Sequence, residues 1–458
     1  MKHNFLEPLA WLAVAPSITD SLTGFSNMNV DTAAFFNWSV LFPNFVLLAA
    51  FISIMVEKIP KVATALTGAS LLLVCQYMTQ AEAFAAIDFN VITLLVGMMI
   101  LINILGHTGA LNALGMMAAR LTRGNNLLML LVFSTMTAFL SAIFDNVTTV
   151  ILMGSITCVI ANKLEINPVP FLIAETICSN IGGTATLIGD PPNIMIGSAA
   201  KLSFNDFLFN LAPVVLLILP VALVTLCFIY RKDLSIDNRY GKRKSDLPVE
   251  GVITDYPLMW KAVAVMVAVF AGFILHAQIG LEAGTIAMAG AAFLLIFENR
   301  KNIWDDVEWT TIFFFIGLFV MVGAVEKSGT VEILARAFID MTSGNQHIMP
   351  IVLMWISAFA SAIIDNVPYT ATMIPLVESI KASNPAASGE SLWWSLALGA
   401  CLGGNGSLIG ATANVIVADM ARANGSRLSF VEFIKVGGLI MVLSLIVSTL
   451  YIWLRYLA

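Results

Sequence analysis

The sequence predicts an all-α polytopic membrane protein with two inverted-topology repeats, about 11 transmembrane helices, two re-entrant hairpins and two broken helices. Three observations predict this fold. The chain of 458 residues is 59% hydrophobic and 11% charged, with a mean hydropathy of +0.89, whereas soluble proteins carry about 25% charged residues. Its motifs recur at a fixed spacing, and polar residues interrupt several long apolar segments near their middle.

The repeat is clearest in a polar motif that occurs twice. Ser-Ala-Ile-Phe-Asp-Asn at 141–146 returns as Ser-Ala-Ile-Ile-Asp-Asn at 361–366, 220 residues later. Gly97 and Gly317 have the same spacing, and the run 182–189 returns as 403–410 at a spacing of 221. Matches at one spacing over so much of the chain indicate two homologous halves.

Taken in order, the apolar segments divide the chain into four parts. Residues 1–39 are predicted to form a retained N-terminal helix and an extracytoplasmic segment. The first repeat is 40–231, with spans at 41–56, 62–77, 89–106 and 207–230, a hairpin at 126–160 and a broken helix at 168–200. A cytoplasmic linker at 232–257 precedes the second repeat, 258–458, with spans at 259–277, 283–298, 308–325 and 434–456, a hairpin at 347–380 and a broken helix at 391–422.

The positive-inside rule gives the orientation. If the hairpins return to their own side, each half has an odd number of spans and the second half is inverted. With the linker in the cytoplasm, all but five of the 23 Lys and Arg are then cytoplasmic, Lys61 among them; the five are Lys201, Lys327, Arg336, Lys381 and Arg455. We expect a multi-pass protein of the cell's inner (plasma) membrane, with the N-terminus in the cytoplasm and the C-terminus outside.

Composition also argues against several classes of function. The five cysteines lie in apolar runs without metal-like spacing, and the net charge of −6 argues against a nucleic-acid partner. No Walker A, Rossmann or zinc-protease pattern occurs. We therefore expect neither an enzyme nor a bound cofactor, and the lipid bilayer is the expected surrounding.

Polar residues inside the four interrupted segments are the candidate ion-binding residues. Asp145-Asn146 and Asp365-Asn366 lie near the middle of the two hairpins, so we expect them at the tips. Non-helical backbone at membrane depth is tolerated only where it is buried or lines a cavity, so the four breaks should meet at one polar cavity. Carboxylate, amide, hydroxyl and carbonyl oxygens are the ligands of an alkali cation. The candidates are Ser141, Asp145, Asn146, Thr148, Thr149, Asn180, Thr184, Thr186, Gly189, Asp190, Asn193, Ser361, Asp365, Asn366, Thr370, Asn405, Ser407, Gly410, Thr412 and Asn414.

Some of these assignments have alternatives. Asp and Asn commonly cap a following helix, although two copies in membrane hairpins favour a binding site. The glycine runs would also serve close helix packing. Asp190 has no acidic counterpart, because Ala411 stands at its position, and it is either a third titrating group or a cap before Pro191. Glu175 either lines the cavity or extends towards the membrane interface.

At these residues the chain resembles the ArsB/NhaD permease group of the ion transporter superfamily, which includes NhaD-type sodium/proton antiporters and a P-protein-like branch. The resemblance spans about residues 40 to 456 and is carried by Phe-Asp-Asn-Val-Thr-Thr at 144–149, Gly-Gly-Thr-Ala-Thr-Leu-Ile-Gly-Asp-Pro-Pro-Asn at 182–193 and Ile-Asp-Asn-Val-Pro-Tyr-Thr at 364–370. It implies a homodimer in which a scaffold supports an elevator-like transport part.

More distantly, the chain is similar to sodium-coupled dicarboxylate symporters, whose hairpin tips read Ser-Asn-Thr and hold sodium beside the substrate. Here Asp stands for the tip Ser, and Val147 or Val367 for the Thr, which argues against a carboxylate substrate. The similarity implies one sodium site at Ser141, Asp145, Asn146 and Gly189, and its mirror at Ser361, Asp365, Asn366 and Gly410.

The sequence favours sodium/proton antiport by elevator-type alternating access. A carboxylate that binds either a proton or a sodium ion, but not both, is the minimal device for exchange, and Asp145 and Asp365 are the expected sites. The alternative is sodium- or proton-coupled transport of an oxyanion, arsenite or a small organic anion. It is weakened because the four core segments contain no Arg or Lys apart from Arg422, the last residue of 391–422. A passive channel suits the mirrored hairpins less well.

Overall fold

The structure is a computed structural model that describes residues 38–56, 58–122, 124–234, 253–297, 304, 307–384 and 389–458. Within these ranges every regular element is a helix, as predicted. The expected N-terminal helix within 1–39 and most of the linker 232–257 lie outside the described residues.

The first half follows the predicted order of elements. Its hairpin is α6–α7, and its broken helix is α8–α9. The helices are α1 (Trp38–Val56), α2 (Lys61–Val74), α3 (Gln80–Ala85), α4 (Phe89–His107), α5 (Ala110–Thr122), α6 (Asn126–Ile143), α7 (Asn146–Leu164), α8 (Val169–Gly183), α9 (Pro191–Ala200), α10 (Phe204–Asn210), α11 (Ala212–Ile229) and α12 (Arg231–Leu234).

The second half repeats this order, with hairpin α17–α18 and broken helix α19–α20. A short 3₁₀ turn, Gly404–Gly406, continues α19. The helices are α13 (Tyr256–Ile279), α14 (Ala283–Leu295), α15 (Trp309–Lys327), α16 (Thr330–Met341), α17 (Met349–Ser361), α18 (Asn366–Ser383), α19 (Ser391–Gly403), α20 (Thr412–Ala423) and α21 (Phe430–Ile452), which ends in a π-turn at Trp453–Leu457.

Eight helices of the described ranges are long and apolar enough to cross a membrane. They include both arms of the first hairpin, α6 with 18 residues and α7 with 19. Three shorter apolar helices are α2, α14 and α17. The chain is therefore an integral membrane protein by the length and composition of its helices.

Helices of each half pack against helices of the other half in a symmetrical way. Helix α4 packs against α14 of the other half, and α15 packs against α2. Within each half, the first hairpin arm packs on the first part of the broken helix, α6 on α8 and α17 on α19. The second part of each broken helix crosses to the other half's hairpin, α9 to α18 and α20 to α7. This reciprocal packing brings both hairpins and both broken helices to one centre.

Two glycines at the repeat spacing make the crossings of α4 with α14 and of α15 with α2 possible. A methyl group on Gly97 would lie 2.7 Å from the carbonyl carbon of Ala287, and one on Gly317 would lie 2.6 Å from that of Ala65. Both obstacles are backbone atoms, so a side chain cannot be accommodated by a change of rotamer. The two halves thus use the same close helix contact, of the kind that small residues allow between membrane helices.

Candidate functional site

A cavity of about 270 Å³ lies where the hairpins and broken helices meet. Helices α7, α9, α18 and α20 begin at its wall, and the first residues of α2 and α15 complete it. The lining residues are Pro60, Lys61, Val62, Leu95, Met99, Asp145, Asn146, Val147, Asp190, Pro191, Glu308, Thr310, Thr311, Phe314, Phe315, Asp365, Asn366, Val367 and Thr412.

The structure places the two Asp-Asn motifs at the hairpin tips, as predicted. Asp145 precedes α7, and its Oδ1 accepts a hydrogen bond of 2.8 Å from the backbone N–H of Thr148. Asp365 precedes α18, and its Oδ1 accepts one of 3.2 Å from the N–H of Val367. The capping alternative therefore holds for one oxygen of each carboxylate, and both residues also line the cavity.

Asp190 lies between the two tips, where each repeat contributes an amide. Asn146 Nδ2 donates to Asp190 Oδ1 at 3.4 Å, and Asn366 Nδ2 donates to both carboxylate oxygens at 3.2 and 3.1 Å. The side chain of Asp190 makes no capping hydrogen bond to α9 and is completely buried. Asp190 stands at the N-cap position of α9, but its side-chain hydrogen bonds go to the two tips and not to the helix end.

Three further asparagines join the two broken helices behind the tips. Asn180 Nδ2 donates to Asn405 Oδ1 at 2.9 Å and to Asn414 Oδ1 at 3.2 Å, while Asn180 Oδ1 accepts from Asn146 at 3.3 Å. Asn180, Asn405 and Asn414 are buried, and none of these three lines the cavity. This network fixes one repeat against the other at the level of the tips.

The unwound segments of the broken helices are held by side chains of their own half. Asn193 Nδ2 donates to the carbonyl oxygens of Gly183, Thr184 and Thr186, at 3.3, 3.2 and 2.8 Å. Its counterpart Asn414 donates to Gly404 and Ser407, at 2.7 and 2.8 Å. Such bonds satisfy carbonyl groups that a broken helix leaves without partners.

Several other predicted site residues also serve the breaks and do not line the cavity. Each of their hydroxyl groups donates to a carbonyl oxygen: Ser141 to Ser179 at 2.8 Å, Ser361 to Ala400 at 2.7 Å, Thr186 to Ala142 at 2.6 Å, Ser407 to Ala362, Thr184 to Asn180 at 2.7 Å and Thr370 to Asn366 at 2.7 Å.

The remaining candidates are also placed behind the tips. Gly189 and Gly410 pack so closely that a methyl group would lie 2.6 and 3.1 Å from the carbonyl oxygens of Ser141 and Ser361. Thr148 and Thr149 lie in the first turn of α7, and neither lines the cavity. Of the twenty predicted residues, the cavity wall includes Asp145, Asn146, Asp190, Asp365, Asn366 and Thr412.

Two charged residues of the cavity escaped the sequence argument. Apart from the terminal Arg422, that argument found no Arg or Lys in the four core segments. Lys61 nevertheless reaches the cavity from the start of α2, and its Nζ lies 3.1 Å from Asp365 Oδ2. Glu308, which precedes α15, also lines the cavity and accepts a hydrogen bond of 3.0 Å from Thr311. Its repeat match to Asp88 was a signal that could have found it.

Glu175 has neither of the two positions expected for it. Its side chain is 1% exposed, so it does not extend towards an interface, and it is not part of the cavity wall. Its carboxylate accepts a hydrogen bond from the hydroxyl of Thr157 on α7. Glu175 therefore belongs to the packing between α8 and the first hairpin.

The charges around the cavity are mostly negative. Asp145, Asp190, Glu308 and Asp365 face one ammonium group, that of Lys61, among the described lining residues. No three His, Cys, Asp or Glu side chains in the described ranges are placed to hold a metal ion together. An alkali cation at these tips would instead combine a carboxylate with amide, hydroxyl or carbonyl oxygens.

A membrane protein whose described elements are helices, and in which broken helices and hairpin tips meet at a cavity with carboxylates in its wall, is a transporter by class. The family model described as "CitMHS: Citrate transporter" matches residues 51–399. The chain therefore belongs to the CitMHS citrate transporter family, and this result does not confirm the more specific ArsB/NhaD group.

Curated relatives and a solved structure agree with this class. An uncharacterized transporter of Mycobacterium tuberculosis is 40% identical, over 90% of this chain and 97% of that protein. The P protein of Homo sapiens is 32% identical over 80% of this chain and 53% of its own length. The Alcanivorax borkumensis YdaH transporter has a TM-score of 0.57 and 13% identity, over 92% of this chain and 99% of that one. That likeness shows a shared fold.

Proposed function

We propose that this protein is a secondary ion transporter that exchanges sodium for protons, with Asp145 and Asp365 as the cation and proton sites. The observation that carries the proposal is the charge of the cavity, four carboxylates against one ammonium among the described lining residues. Each carboxylate can bind a proton or a cation in turn, so one cavity can carry either ion across the membrane.

The same charges disfavour an anionic substrate. At an effective dielectric constant near 20, two like unit charges about 4 Å apart repel each other by roughly 4 kcal/mol. A di- or tricarboxylate in the cavity would meet several such pairs. A sodium ion would instead be attracted by each of these carboxylates, which is why we favour the cation as the transported species.

The packing supports an elevator-type mechanism. Helices α2, α4, α14 and α15 pack across the repeats as one group, while both hairpins and both broken helices form another. We propose the first group as the scaffold and the second as the part that moves with the ion. A homodimer is a further prediction from the resemblance.

A second candidate, transport of a small organic anion coupled to sodium or protons, is supported by two observations. The N-terminal ends of several helices face the cavity, and such ends attract anions. Lys61 adds a positive charge to the wall. The name of the family, citrate transporter, points in the same direction.

Reconstituted protein in vesicles provides the test. An imposed proton gradient should drive sodium movement, and both Asp145→Asn and Asp365→Asn should abolish it, because an amide cannot exchange a proton for sodium. Asp419→Asn is the matched control, since Asp419 lies on α20 with an exposed side chain. Undiminished exchange in both tip variants would refute the proposal, and sodium-dependent uptake of citrate would favour the second candidate.

A further inference from the structure

The ammonium group of Lys61 contacts two oxygen atoms at the second hairpin tip and the broken helix beside it. It lies 3.1 Å from Asp365 Oδ2 and 2.7 Å from Thr412 Oγ1. Thr412 also donates to the same carboxylate oxygen at 2.9 Å. The Phe314 ring centroid lies 5.7 Å from Nζ, so an aromatic face also lies near the charge.

The second half has no lysine equivalent to Lys61. Ala65 contacts Gly317 in the same way that Ala287 contacts Gly97, so α2 and α14 correspond. Helix α2 begins at Lys61 and α14 begins at Ala283, each four residues before the corresponding alanine. Lys61 thus corresponds to Ala283, and within the described residues no Lys or Arg forms an ion pair with Asp145. The two mirrored tips differ by one positive charge.

The ion pair also lies between two spaces. Lys61, Asp365 and Thr412 line the central cavity and a second cavity of about 210 Å³ beside α20. Asp365 is almost completely buried, with 7% of its side chain exposed, whereas 40% of the Lys61 side chain is exposed. A buried carboxylate is stable as an anion only with a partner charge, and here the protein itself supplies that charge.

We infer that Lys61 is a resident counter-cation, which occupies at Asp365 the place that an alkali cation takes at the mirrored Asp145. The inference rests on the proposed function, and it specifies how that function is divided between the halves. While the pair is intact, sodium binds at the first tip and Asp190, and the second tip holds the Lys61 ammonium. Asp365 can exchange a proton for a cation only after this pair breaks. The Lys61–Asp365 ion pair also links α2 of the proposed scaffold to the moving part. The pair must therefore break when the moving part leaves.

The experiment counts bound sodium in purified protein by equilibrium binding of radioactive sodium. Lys61→Gln leaves the Asp365 carboxylate without its counter-charge, and we expect one further sodium ion per protomer relative to wild type. Lys61→Gln combined with Asp365→Asn removes both charges and should return the number to that of wild type. Lys58→Gln, at an exposed neighbouring lysine, should not change it. An unchanged number in Lys61→Gln, or a raised number that persists in the double variant, would overturn the inference.

A melting measurement separates the inference from the proposed function. Replacing choline chloride with sodium chloride should raise the melting temperature of Lys61→Gln more than that of wild type, because the unpaired carboxylate gains a ligand. This difference is expected even if wild type shows no sodium-driven proton movement, a result that would refute the exchange function alone. Stabilisation of wild type by citrate that is lost in Lys61→Gln would instead identify Lys61 as an anion ligand and contradict the inference.

Discussion

Gly97→Ala should destabilise the protein through the contact between α4 and α14. The added methyl group would lie 2.7 Å from the carbonyl carbon of Ala287 and 2.8 Å from the backbone nitrogen of Met288. Atoms of this kind rarely approach within about 3.4 Å, so the two helices must separate by several tenths of an ångström. Overpacking of this type costs about 1–3 kcal/mol, and the mirrored Gly317→Ala should cost a similar amount.

Gly106→Ala is the matched control on the same helix. There the nearest atom to a new methyl group would be Leu111 Cδ1, at 3.9 Å, which is an ordinary contact. Alanine stabilises a helix relative to glycine by about 0.5–1 kcal/mol. Relative to wild type, Gly97→Ala should therefore be less stable and Gly106→Ala more stable. At roughly 1 °C per kcal/mol for a chain of this length, their melting temperatures in detergent should be separated by a few degrees. Equal melting temperatures would refute the close crossing of the repeats.

Two further predictions concern the first helix break and a surface ion pair. Asn193→Ala removes the amide that satisfies three carbonyl groups, so it should destabilise the protein by about 1–3 kcal/mol; chemical unfolding measures this, and an unchanged midpoint would contradict the role given to Asn193. Hydrogen bonds from Lys327 and Thr79 lower the pKa of Glu82 from 4.5 to about 2. Because the pKa is lowered, the pair's contribution is complete above about pH 4.5 and is lost as the pH falls towards 2. The difference in melting temperature between wild type and Glu82→Gln should therefore stay constant from pH 8 to 5 and shrink in stronger acid; a change between pH 8 and 5 would contradict this pairing.

The sequence predicted the parts of the fold that local pattern determines. Apolar length gives the helices, and the repeated Asp-Asn motif gives the hairpin tips, because a polar pair inside an apolar segment requires a break in a protected place. The same spacing marked Gly97 and Gly317, which make equivalent close contacts. These features depend on residues that are near each other in the chain or matched by the repeat.

The features that the sequence could not predict depend on contacts between distant residues. Lys61 and Asp365 are 304 positions apart, and nothing in the chain near either one indicates the partner. Asp190 was ambiguous for the same reason, since its two amide donors come from different repeats. The division of the predicted polar residues into a cavity wall and a supporting layer likewise follows from side-chain direction, which the motif does not contain.

Proton movement in vesicles that contain the wild-type protein tests the central claim most directly. The internal pH is followed while sodium, potassium, choline or citrate is added outside. The account predicts that sodium alone releases protons from an acid-loaded interior, and that sodium citrate has no larger effect than sodium chloride. Proton movement that requires citrate, or that is the same with choline as with sodium, would contradict it.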